Sequence, residues 1–153
     1  MINQDENIFI QERPMIFIID ASVCVKWFSG DKEKDIEKAD LLKNQHLNKE
    51  VLLVAPDLLI FEITNALSFN PSFDFDKTSR AIDSLFLMEI KFFKTNHDLV
   101  LESIKIRFEK NITIYDAVYI AVAKKLNSQL ITADRKLFEV TKGIENVILL
   151  ETY

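Results

Sequence analysis

Short apolar runs that recur along the chain, with helical stretches between them, limit what this sequence can fold into more than any other feature. Met15–Asp20 (MIFIID), Val51–Ala55 (VLLVA), Ser128–Asp134 (SQLITAD) and Asn146–Leu150 (NVILL) are rich in Ile, Val and Leu and show no polar alternation. Runs of that kind are strands buried on both faces, the habit of parallel sheets. Ile90–Thr95 (IKFFKT) is a candidate for a fifth. Between them, residues 35–48, 57–69, 76–89, 98–110 and 115–127 carry helical periodicity. The alternation predicts an α/β fold with a mainly parallel central sheet of about five strands flanked by helices.

At 153 residues and 48% hydrophobic, the chain has room for one core and one domain. The breaks near Ser29, Asn70 and Thr141 read as loops within that domain. Residues 1–14 are mostly polar and end in Pro14, so they read as a frayed N-terminal arm before a domain over 15–153. Met15 is a second candidate for the native start. No apolar run approaches the roughly 18 residues of a membrane span, and the N-terminus lacks a basic segment followed by an apolar one. A soluble, cytoplasmic protein without a membrane partner is the expectation.

Scarce residue types narrow the chemistry. Cys24 is the only cysteine, which excludes an intrachain disulfide and a multi-cysteine zinc site, and its setting in SVCVKW marks a small core residue. Gly30 and Gly143 are the only glycines, so no Gly-rich phosphate loop can be written. His46 and His97 stand far apart, without metal-ligand spacing or a partner for a nucleophilic triad. Any catalysis is left to carboxylates. The net charge of -5 argues against nonspecific nucleic-acid binding through a basic stripe, so a protein like this needs cations to handle phosphates.

Four acids recur at element junctions. Asp20 closes the first strand and Asp134 closes the run LITA; in a parallel sheet both ends lie on one edge, where open α/β sheets bind ligands. Asp116 falls in the first turn of an apolar helix, and Glu62 sits in LLIFEITNALSF with Asn65 on the same helical face. Each has a structural explanation as well. Asp20 and Asp134 are good helix N-caps, Thr113 and Asp116 have the spacing of a capping box, and Glu62 can reach solvent from a helix face. Brought together, two carboxylates ~4 Å apart repel by about 4 kcal/mol at an effective dielectric near 20, which calls for a cation among them. Mg²⁺ and Mn²⁺ are the hard, oxygen-seeking ions that fit.

In the motifs IIDASV, APDLLIFEITNAL, YDAVYIAVAKKL and LITADRKL, in that order, the chain resembles the PIN-domain family of metal-dependent ribonucleases, and within it the VapC-type toxins of toxin–antitoxin pairs. The resemblance runs from about Met15 to Leu150. It implies a catalytic and metal-holding set of Asp20, Glu62, Asp116 and Asp134, supported by Ser22, Asn65 and Thr132. Asp20, Asp116 and Glu62 would hold a Mg²⁺ or Mn²⁺ ion, with Asp134 completing the cluster or taking a second. It further implies cleavage of single-stranded or structured RNA, a homodimer, and a cognate VapB-like antitoxin that blocks the site. The arm before Met15 departs from the family's habit of beginning just before the first strand. Lys26, Arg135 and Lys136 are candidates for the RNA backbone, while Trp27 and Phe28 read as core.

Competing readings are weaker. A haloacid-dehalogenase-type phosphatase needs a second acid two residues after the first, where Ser22 stands, and a receiver domain needs an acid pair at the first strand and an aspartate nucleophile at a middle one, for which VLLVAPD is a poor match because Pro56 and Asp57 read as the start of a helix. The alternative from another class is a catalytically silent PIN fold that acts as a binding module.

Overall fold

The computed structural model describes residues 13–28, 30, 34–144 and 146–153. Residues 1–12, which make up most of the expected N-terminal arm, lie outside the described residues.

Among the described residues, five parallel strands form one sheet: β1 (Met15–Ile19), β2 (Val51–Pro56), β3 (Lys91–Phe93), β4 (Gln129–Thr132) and β5 (Val147–Leu149), in the order β3-β2-β1-β4-β5. The expected α/β fold is the one found, and Ile90–Thr95 supplies the β3 edge strand. Ile18, Ile19, Leu53, Leu130 and Ile131 are fully buried, which is why the centres of the three inner strands are apolar.

Among the described residues, seven α-helices accompany the sheet: α1 (Ala21–Cys24), α2 (Ile36–Leu47), α3 (Leu58–Ser68), α4 (Phe75–Leu87), α5 (His97–Lys110), α6 (Ile114–Lys125) and α7 (Arg135–Val140). A 3₁₀ turn over Val25–Trp27 continues α1. The helix α6 packs on β1, β2 and β4 and is covered in turn by α5. A helix so enclosed must be apolar on most of its surface, and Ala117, Tyr119, Ile120, Ala121, Val122 and Ala123 are all buried.

The strand order has a functional consequence. From β1 the chain builds outward through β2 to β3, then returns to the other side of β1 with β4 and β5. Between β1 and β4 the order of construction reverses, and their carboxyl ends flank the crevice where doubly wound sheets bind ligands. Asp20 follows β1 directly, and Thr132 ends β4 with Ala133 and Asp134 just after it.

Other residues find structural employment. Cys24 is free and buried, and burial holds its thiol well above the usual range. Buried His46 ties three elements: its Nδ1 accepts from the Leu53 backbone N–H at 3.2 Å, so Nε2 carries the proton and donates to the Met88 carbonyl at 2.9 Å. Trp27 and Phe28 pack against the core, and the indole donates to the Ala39 carbonyl at 2.8 Å.

Candidate active site

The C-terminal ends of β1 and β4 are sewn together by hydroxyls. Ser22 Oγ donates to Asp20 Oδ1 at 2.5 Å, accepts from the Ala133 backbone N–H at 2.8 Å, and lies 3.3 Å from Thr132 Oγ1. The Thr132 hydroxyl, fully buried, accepts from the Asp134 backbone N–H at 3.1 Å. Asp20 also accepts from the Val23 N–H at 3.3 Å and so caps α1. One aspartate thus ends a strand, starts a helix and is fixed in place at the crevice.

Burial decides the character of Asp20. The side chain is almost wholly enclosed, and loss of water raises its pKa from 3.8 to about 6. Hydrogen bonds from Ser22, Thr132 and Val23 oppose the rise, and the negative charge of Glu62 adds to it. Burial thus outweighs the three donors and makes this carboxyl costly to ionise unless a positive charge arrives.

Glu62 comes from α3, half-buried. Its pKa is raised by desolvation and further by the charge of Asp116, against a hydrogen bond from the Tyr119 hydroxyl to Oε2. Asp116, in the first turn of α6, is held by Thr113, whose hydroxyl accepts from the Asp116 N–H at 3.1 Å and donates to Oδ2 at 2.7 Å. Glu62 and exposed Asn65 line an open cleft of about 630 Å³ with Phe61 and Tyr115. Asp20, Glu62 and Asp116 are therefore linked through their charges, with Glu62 in the middle.

Asp134 stands apart from that chain of charges. Its Oδ1 accepts from the Leu137 N–H at 3.0 Å and caps α7, and its side chain is exposed. Its connection to Asp20 runs through its backbone N–H and the Thr132 hydroxyl rather than through its carboxylate. The three cations nearest these motifs in sequence have different surroundings. Lys26 is buried and donates to the Lys34 carbonyl at 2.8 Å, Arg135 is paired with Glu151, and Lys136 alone of the three is an exposed side chain for which no pairing is seen among the described residues.

A family model described as the PIN domain matches residues 17–143. The chain belongs to the PIN-domain family. No curated protein matches it. Among solved structures, PAE2754 from Pyrobaculum aerophilum is similar with a TM-score of 0.66 at 25% identity, over 98% of this chain and 94% of that one. A toxin–antitoxin complex from Klebsiella pneumoniae gives a TM-score of 0.65 at 18% identity, over 87% of this chain and 96% of the other. VapC20 of Mycobacterium tuberculosis, described as a sarcin-ricin loop cleaving toxin, gives 0.62 at 15% identity, over 82% and 95%. At 18% and 15%, the likeness is one of fold.

Within this PIN domain, the donor set suits a hard divalent ion: oxygen ligands only, two of them, Asp20 and Glu62, with proton affinity raised by burial and by the charge of a neighbouring carboxylate. Among the described residues, however, no three acid, histidine or cysteine side chains stand together as a ready-made chelating group. The fit is to an ion held by one or two carboxylates and completed by water and substrate phosphate, the usual manner of Mg²⁺. Sequence reasoning passed over Tyr119, whose phenol reaches Glu62. The signal was its place three residues after Asp116, on one helical face, in a helix otherwise lined with Ala, Val and Ile.

Proposed function

We propose that the protein is a Mg²⁺- or Mn²⁺-dependent endoribonuclease, the toxin of a toxin–antitoxin pair, acting on single-stranded or structured RNA in the cytoplasm. The observation that carries the proposal is the buried Asp20 carboxylate at the β1/β4 crevice of a PIN fold, charge-coupled to Glu62. The likeness to a toxin–antitoxin complex and to a toxin described as cleaving the sarcin-ricin loop supports an RNA substrate and an antitoxin partner of the VapB kind. A homodimer is part of the same reading. No helix among the described residues is long and apolar enough to cross a membrane.

In this reading one or two of Asp20, Glu62 and Asp116 hold the ion directly and the rest of the three through water, and Asp134 belongs to its surroundings. Such an ion, when bound, supplies neutralisation of phosphate charge and a more acidic water for attack on phosphorus. The chain's own residues prepare the place. Ser22 and Val23 hold Asp20 by its Oδ1, Thr132 and Ser22 fix the end of β4 beside it, and Thr113 holds Asp116. Asn65 stands in the cleft beside Glu62, where its amide can meet a ribose or base.

Cleavage of end-labelled single-stranded RNA, with Mn²⁺ or EDTA and beside Asp20→Asn, tests this reading. Cutting that requires metal and is lost in the variant supports it; equal cutting by both proteins removes it. One observation favours the second reading, a silent PIN-fold binding module: the missing three-ligand cluster. A melting midpoint unmoved by millimolar Mn²⁺ would decide for that reading, because binding to the native state must raise the midpoint.

A further inference from the structure

A phenol has one proton to donate, and where a buried helix face offers only methyl groups that proton needs an acceptor. Tyr119 is 2% exposed, and its buried neighbours on α6 are alanines, Ile120 and Val122. Its acceptor lies on a different helix, 57 residues earlier in the chain: Oε2 of Glu62 on α3. A phenylalanine would fill the same space and pack as well, so the hydroxyl is there for the carboxylate. Asp116, three residues before Tyr119, faces the same way on α6, and its charge reaches the same Glu62. Two residues of one helical face thus act on one glutamate, one by attraction through a hydrogen bond and one by repulsion.

We infer that Tyr119 is a positioning residue: by holding Oε2 it fixes the Glu62 carboxylate against α6 and leaves Oε1 as the oxygen offered to a divalent cation. The inference rests on the proposed reading that Glu62 is a ligand. A glutamate on a half-exposed helix face otherwise moves among many rotamers, and an ion that captures it must first arrest that motion. Tyr119 arrests it before the ion arrives. Groups that orient a metal ligand in this way commonly matter almost as much as the ligand.

Calorimetric titration of Mn²⁺ into wild type, Tyr119→Phe, Glu62→Gln and the double variant, with melts of each in EDTA, tests the inference. Tyr119→Phe keeps the ring and is expected to melt close to wild type in EDTA while its Mn²⁺ affinity falls about 10- to 100-fold. The double variant should bind within about twofold of Glu62→Gln, because the hydroxyl acts only through that carboxylate. Wild-type affinity in Tyr119→Phe, or a double variant that loses the product of the two single losses, overturns the inference and leaves the metal site standing. A wild-type protein that takes up no Mn²⁺ overturns the ligand reading and the inference together. Should Tyr119→Phe melt far below wild type, Glu62→Asp carries the test: it keeps the charge but withdraws it by one methylene from the phenol, and wild-type affinity in that variant overturns the inference.

Discussion

Replacing Asp20 with asparagine should stabilise the metal-free protein, although it removes a residue held by three donors. A carboxyl whose pKa rises from 3.8 to about 6 on folding contributes stability that is complete below the lower value and lost as pH climbs through the upper one. The loss amounts to about 3 kcal/mol once the group is fully ionised, and roughly 1.5 kcal/mol of it falls between pH 5 and pH 7.5. Asparagine retains an oxygen for Ser22 and Val23 and never ionises, but its amide protons meet a buried setting, which gives back about 1 kcal/mol. The net gain expected at pH 7.5 in EDTA is about 2 kcal/mol, or roughly 4–8 °C in Tm for a chain of this size. With Mn²⁺ at a hundred times its Kd the order reverses, since wild type gains about 2.7 kcal/mol that the variant forgoes. Differential scanning fluorimetry at pH 5 and pH 7.5, with EDTA and with Mn²⁺, reads all four conditions. A variant less stable than wild type in EDTA at pH 7.5, or an advantage that shrinks as pH rises, would refute the electrostatic argument.

Ser22→Ala removes the hydroxyl that joins the ends of β1 and β4 and leaves the Ala133 N–H without its partner; urea denaturation should show a loss of about 1–3 kcal/mol. His46→Ala strands the Leu53 N–H and the Met88 carbonyl and opens a cavity, so a loss of about 2–4 kcal/mol is expected by the same assay, with metal affinity unchanged. The Cys24 thiol should resist thiol reagents in the native protein and react at the rate of unfolding, because it is enclosed and holds its proton; rapid native-state labelling would contradict its place in the core.

Much of the fold was legible because a sheet covered on both faces is built on apolar runs, and Met15–Ile19, Val51–Pro56 and the Leu130–Ile131 centre of β4 are written that way. What escaped was short or mutual. The helices α1 and α7 have four and six residues, too few for a periodic pattern, though their caps Asp20 and Asp134 were in view. Acids in the first turn, Asp76 and Asp98, pass for caps because the helix dipole favours them there, whereas the caps are Asp74 and Asn96, two residues earlier. At the site, sequence could nominate acids but not rank them. Asp20 and Asp134 read alike, yet one is buried with a raised pKa and the other is an exposed cap. Lys26 looked like a surface cation and is buried, because the 3₁₀ turn after α1 directs its ammonium to the Lys34 carbonyl. The Tyr119–Glu62 bond joins two helices far apart in sequence, and no local pattern announces such a pair.

The central claim is that a divalent ion sits at the β1/β4 crevice on Asp20 and the Glu62–Asp116 pair. Manganese anomalous diffraction from a crystal grown with the ion tests it most directly. The account predicts a peak about 2.1 Å from an oxygen of Asp20 or of its charge-coupled partners. A peak on Asp134 alone, or none at the crevice, would contradict it.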